Sequence, residues 1–137
     1  MWLHLLAGAG VLIAVVVTWF LAYYWLTPYL KAPDGHARVT GGCKDTMEIS
    51  LTFKNNRVAD TSYWTNGCVY SLNCVSAAAE LAKGKTPDEV LKLVDADLIQ
   101  NSIGGLPSDH MHCATLAAVT LEKALGNYVG KKTHKNY

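Results

Sequence analysis

Along the chain the spacing of apolar positions changes character several times. From Leu5 to Leu26 the run LLAGAGVLIAVVVTWFLAYYWL holds 22 residues with no formal charge and no polar stripe. As a helix rising 1.5 Å per residue it covers about 30 Å, enough to cross a bilayer. Between Thr46 and Phe53 the pattern becomes strictly alternating. Met47, Ile49, Leu51 and Phe53 are interleaved with Thr46, Glu48, Ser50 and Thr52, the period of a strand with one buried face. Lys54, Asn55 and Asn56 form a polar turn, and a second β-rich run follows from Val58 to Thr65, which makes a hairpin.

After Gly67 and Cys68 the stretch SLNCVSAAAELAKG predicts a helix rich in Ala and Leu that stops at Lys83 and Gly84. Thr86, Pro87 and Glu89 are the N-cap, N1 proline and N3 carboxylate of another helix through about Val94. A short helical turn is expected near Asp97 to Ile103, ended by Gly104, Gly105 and Pro107. The last helix is expected from about Cys113 to Tyr128, with Leu116, Val119, Thr120 and Leu125 on its inner face. Ahead of the hairpin, KAPDGHARVTG reads as a connector with a short strand around Ala37 to Thr40, and the closing GKKTHKNY reads as a frayed basic tail. Strands precede helices, so the expected class is α+β: a small antiparallel sheet packed by helices, preceded by a single transmembrane helix.

Composition sharpens the division. The 137 residues are 50% hydrophobic and 17% charged, against about 25% charged in soluble domains. No Asp, Glu, Lys or Arg precedes Lys31, so all 23 charged residues belong to the rest of the chain, which then has an ordinary globular balance. The expected organisation is an anchor over 1–30, a juxtamembrane connector over 31–41, one domain over 42–129 and a basic tail over 130–137. This excludes a disordered chain, a polytopic transporter and a multidomain enzyme. A net charge of +1 excludes a phosphate-tracking nucleic-acid surface.

Trp2 stands at one end of the apolar run and Trp19, Tyr23, Tyr24 and Trp25 at the other, where amphipathic rings favour the headgroup region. No cation precedes the run and no A-x-A site closes it, which favours a retained anchor over a cleaved signal peptide. Lys31 and Arg38 follow the span, so the positive-inside tendency puts the N-terminus outside and the domain in the cytoplasm. His4 is read as an interfacial residue at the helix start.

Four cysteines remain, Cys43, Cys68, Cys74 and Cys113. In a reducing compartment structural disulfides are rare, so four thiols in a small domain point to a metal or a reactive role. A hairpin brings its outer ends together, which sets Cys43 and Cys68 at one edge of the sheet, and the start of the last helix can meet them with His112 and Cys113. Helix N-termini after Cys68 and Cys113 are expected to lower their thiol pKa values. Thiolates are soft ligands for iron-sulfur clusters or zinc, and an imidazole or carboxylate can complete the shell. No CxxC pair is present, and spacing alone goes no further than a metal or sulfur site.

The segments Gly42-Cys43-Lys44-Asp45-Thr46-Met47, Thr65-Asn66-Gly67-Cys68, Ala82-Lys83-Gly84-Lys85-Thr86, Gly104-Gly105-Leu106-Pro107 and His112-Cys113-Ala114 stand in that order. Together, from Gly42 to Tyr128, they resemble the iron-sulfur cluster scaffold family of IscU and the N-terminal part of NifU. The resemblance implies a non-enzymatic scaffold for a labile [2Fe-2S] cluster. A cysteine desulfurase supplies its sulfur, iron is added, and an apo iron-sulfur protein accepts the product. It implies Cys43, Cys68 and Cys113 as ligands, with Asp45 and His112 beside them, and Cys113 as first sulfur acceptor.

Lys44 departs from the family's glycine and is read as a cation near bound sulfide or as a solvated side chain. Leu106-Pro107-Ser108-Asp109-His110 departs from the family's Leu-Pro-Pro-Val-Lys, which removes the usual signal for a dedicated chaperone, and His110 is read as a loop histidine. Cys74 lies six residues past Cys68, about 240° around a helix, and is read as a buried small hydrophobe or else an auxiliary ligand. The apolar leader has no counterpart in soluble scaffolds. It motivates a second reading, an accessory subunit holding a cluster or zinc among the redox subunits of a membrane complex. A third, an extracytoplasmic disulfide domain, needs the opposite orientation.

Overall fold

The alternation of residues 46–53 produces the central strand of a three-stranded sheet. The computed structural model describes residues 1–26 and 32–135. Lys31, one of the two orienting cations, lies outside the described residues, as do residues 27–30 and 136–137. Strand β2 (Thr46–Lys54) is flanked by β1 (Gly35–Thr40) and β3 (Arg57–Thr65), antiparallel on both sides. Its register runs from Gly35↔Leu51 to Thr40↔Thr46 on one side and from Met47↔Thr65 to Lys54↔Arg57 on the other. At the β2–β3 turn Asn55 and Asn56 take φ of 53° and 60°, the left-handed pair that a two-residue hairpin with the right twist requires.

Met47, Ile49 and Leu51 are fully buried and face two helices. Helix α2 (Val69–Ala82) buries Ser71, Cys74, Val75, Ala78, Ala79 and Ala82, a spacing of three and four whose small side chains allow close approach. Helix α5 (Met111–Lys135) presents a matching stripe that includes Cys113, Leu116, Ala117, Leu121 and Leu125. Its buried Thr120 hydroxyl donates to the Leu116 carbonyl at 2.7 Å. Between them α3 (Pro87–Leu93) starts on a complete Thr86/Glu89 capping box, and α4 (Ala96–Ser102) on Asp95, which accepts from the Leu98 amide at 2.8 Å.

Two elements exceed the sequence expectation. The connector contributes a full strand, β1, packed along α5. Gly35 makes this possible, since a Cβ there would lie 2.5 Å from the Ala124 carbonyl oxygen. The last helix continues from Tyr128 to Lys135, so most of the expected basic tail is helical. Tertiary contacts hold this extension: Tyr128 stacks on Phe53 with centroids 3.7 Å apart, Asn127 donates to the His36 carbonyl at 2.9 Å, and Lys132 reaches Asn56 Oδ1 at 3.0 Å.

Helix α1 (Trp2–Leu26) is exposed along its length, and its His4–Leu26 stretch is long and apolar enough to cross a membrane. A membrane anchor and a signal sequence share that length and composition.

Candidate functional site

Three connections meet at one edge of the sheet. They are the β1–β2 loop over 41–45, the Asn66–Cys68 turn from β3 into α2, and the 3-10 turn Ser108–His110 that runs into α5. The first two are tied together: the Thr46 amide donates to Asn66 Oδ1 at 2.7 Å and the Asn66 amide to the Thr46 carbonyl at 3.3 Å. The loop is tight, with Gly41 N–H donating to the Asp45 carbonyl at 2.9 Å. It turns at Lys44, whose φ of 67° lies in the left-handed region that favours glycine, the residue of the family pattern at this place. The Lys44 side chain is exposed.

Cys68 is the N-cap residue of α2. Its sulfur, a ring nitrogen of His110 and the sulfur of Cys113 all lie within 4.8 Å of one another. A tetrahedral metal with bonds of about 2.0–2.3 Å holds its donor atoms about 3.3–3.8 Å apart, so modest side-chain rotation would close the group around one ion. Two thiolates and an imidazole suit zinc or iron.

Ser71, one helical turn beyond Cys68 and fully buried, sits under this group. Its hydroxyl donates to Asp45 Oδ2 at 2.5 Å and lies 3.4 Å from Cys113 Sγ and 3.8 Å from Cys68 Sγ. Gly67 lets the turn close over these groups, because a Cβ there would lie 2.5 Å from Asp45 Oδ2 and 2.6 Å from the Ser71 Cβ and Oγ. Neither Ser71 nor the contact role of Gly67 was read from the sequence. The available signal was the spacing of three from Cys68, which puts Ser71 on the same helix face.

The thiols differ in their electrostatics. The Ser71 amide, then the Ser71 hydroxyl and the Tyr70 amide, favour the thiolate of exposed Cys68 and hold its pKa below the usual value. Cys113, only 1% exposed, goes the other way. Burial pushes its pKa up, the Ser71 hydroxyl partly offsets this, and the negative charges of Cys68, Asp45 and Cys43 add to the rise. The expectation that a helix start lowers both therefore holds for Cys68 and is overturned at Cys113, where desolvation outweighs the Ser71 hydrogen bond. Cys74 is fully buried, and burial, with the charges of Cys113 and Cys68 behind it, pushes its pKa up to about 11.

Of the residues singled out in the sequence, the structure brings Cys68 and Cys113 into the group and holds Asp45 against it through Ser71. Cys43 is exposed on the adjoining loop, outside the 4.8 Å group. His112 is exposed, and His110 is the histidine grouped with the two thiols. The His112 ring, on the first turn of α5, lies 6.2 Å from that of His110 centroid to centroid, so it borders the group without belonging to it. His110 belongs to the 3-10 turn, and its ring stacks on Tyr70 with centroids 4.4 Å apart.

The family model for the NifU-like N terminal domain matches residues 33–135. An iron-sulfur cluster assembly scaffold protein IscU of Archaeoglobus fulgidus is 42% identical over 89 residues, which are 65% of this chain and 58% of that protein. The nitrogen fixation protein NifU of a Nostoc species is 36% identical over 90 residues, which are 64% of this chain and 30% of that protein. The matched stretch is thus under two thirds of the length of either relative. Among solved structures, the N-terminal NifU-like protein from Brucella abortus shares the fold with a TM-score of 0.56 at 20% identity, over 74% of this chain and 83% of that one.

Proposed function

The chain belongs to the family of NifU-like N-terminal domains, and from that premise we propose that it is a scaffold on which a labile [2Fe-2S] cluster is built and handed on, held at a membrane by α1. The observation that carries this reading is the Cys68, His110 and Cys113 group at the open edge of the sheet. Cys43 approaches from the β1–β2 loop as the third thiolate, and His110 completes the ligand set.

Each residue has a task suited to its surroundings. Cys68, exposed and with a lowered pKa, rather than the buried Cys113 that the family resemblance implies as first acceptor, is the thiolate that attacks the outer sulfur of a desulfurase persulfide, with the donor's thiolate leaving. Cys113, shielded by burial, stays protonated until iron displaces its proton. Asp45, tied to Ser71, is a carboxylate poised to replace a ligand as the cluster leaves. An imidazole and a carboxylate bind less tenaciously than further thiolates, which favours transfer over retention. The protein acts as a carrier without turnover of its own, its partners being a cysteine desulfurase and apo iron-sulfur acceptors. The reading places the domain on the cytoplasmic side, where thiols are kept reduced and free to bind metal.

Anaerobic incubation of the full chain with iron, cysteine and a desulfurase is expected to give a [2Fe-2S] absorption spectrum that moves to an apo-ferredoxin within minutes. Reconstitution and transfer by Cys68→Ala and Cys43→Ala variants at the parent's level would sink the reading. Helix α1 favours a second reading, a permanent cluster or zinc in a membrane electron-transfer complex. A reconstituted cluster that never transfers would select it.

A further inference from the structure

The end of the domain opposite the thiols carries a concentration of positive charge that cluster chemistry does not use. Lys131, Lys132, His134 and Lys135 are all exposed on the last two turns of α5, and Lys54 is exposed where β2 ends. After Glu122 the chain contains no Asp or Glu. Two carboxylates on neighbouring segments are engaged elsewhere: Asp34 accepts from the Phe53 amide at 2.8 Å, and Glu89 pairs with Arg57 at 3.2 Å. Lys132 is steadied by Asn56, which ties the basic turns to the β2–β3 hairpin. Gly126 and Gly130 leave open space beside the Lys131, His134 and Lys135 side chains, where they line an open groove.

This is also the end at which the chain arrives from α1. Leu26 closes α1 and Gly35 opens β1, so at most about 30 Å of extended chain separates them. Gly35 lies directly against Ala124 and Tyr128 of α5, one helical turn before Lys131. Cys113 is fifteen residues back along the same helix, about 22 Å from Tyr128.

We propose that the basic end of α5, with Lys54, binds anionic phospholipid headgroups of the leaflet from which α1 emerges, and so holds the domain with its thiol edge turned away from the bilayer. The inference rests on α1 being the anchor. The tether keeps the lysines within reach of the headgroups, where each adds attraction over the range of a Debye length, about 8–10 Å. The cluster site, at the far end of the same helix, then faces soluble partners. A single span would leave the domain free to tumble on its linker, and the second contact removes that freedom.

The full chain is placed in nanodiscs of phosphatidylcholine with and without phosphatidylglycerol, and lysine acylation is followed by mass spectrometry. Lys131, Lys132 and Lys135 are expected to react about five-fold more slowly or less in anionic discs, with the difference lost at high salt. Lys85 and Lys92 should react alike in both. A Lys131→Glu/Lys132→Glu/Lys135→Glu variant should insert normally, and its Lys54 should lose whatever protection it had. Equal labelling of an inserted chain in both discs overturns the proposal and leaves the basic face to an acidic protein partner, while the anchor reading stands. A chain that alkaline carbonate strips from the discs overturns the anchor reading and this proposal with it.

Discussion

At the end of the sheet where β1 begins, polar groups satisfy one another: Asp34 accepts from the Phe53 amide, Asn127 donates to the His36 carbonyl, and Phe53 stacks flat on Tyr128. At the opposite end, two thiols and an imidazole lie within 4.8 Å, a third thiol is exposed, and a loop turns through a lysine at φ 67°. One helix, α5, serves both ends, lending Cys113 to the second and Tyr128 to the first. The contrast shows where stability and chemistry have been separated. Closed hydrogen bonds and ring stacking anchor the helix at one end, which lets donor groups be left uncommitted at the other.

Four changes test that separation, in descending order of effect. Cys113→Ala should abolish cluster retention, read by visible absorption, while costing only about 1 kcal/mol in urea unfolding. Leu125→Ala, in the core beside the far end, should cost about 2–5 kcal/mol in the same unfolding experiment and leave zinc or cluster binding at 25 °C intact.

The third change is pH. Cys74 has a folded pKa raised to about 11, so the native state keeps a proton that the unfolded chain gives up above its own thiol pKa. Stability is therefore complete below the unfolded value and falls as pH rises toward 11, by about 2–3 kcal/mol, and Cys74→Ala should flatten that decline. The smallest effect is at the loop. Lys44→Gly should raise stability by about 0.5–1 kcal/mol in thermal unfolding by relieving the left-handed backbone. A gain of that size with unchanged cluster transfer would mean that the lysine cation has no part in holding sulfide.

Local signals made much of this legible in the sequence. The alternation from Thr46 to Phe53 gave β2 and its buried face, paired asparagines gave the hairpin turn, and Thr86-Pro87-Glu89 gave the start of α3. What escaped depends on contacts between distant segments. The short strand expected around Ala37 to Thr40 is present as β1, but its start at Gly35 serves an approach by α5 that no local pattern records. The end of α5 contains Gly130 and adjacent lysines, which read as a tail, and is helical because Phe53, His36 and Asn56 hold it. At the site, the cysteines and Asp45 were legible as residue types. Ser71 was hidden within a helix of small side chains, and the choice between His110 and His112 hinges on a 3-10 turn that sequence spacing does not reveal.

That choice gives the most direct test of the site. The protein is labelled with ¹⁵N-histidine, reconstituted anaerobically and reduced, and nitrogen couplings to the cluster's unpaired electron are measured by pulsed EPR in His110→Ala and His112→Ala variants. The expected result is a histidine coupling that persists in His112→Ala and vanishes in His110→Ala. Loss in His112→Ala with persistence in His110→Ala would contradict the ligand group formed by Cys68, His110 and Cys113.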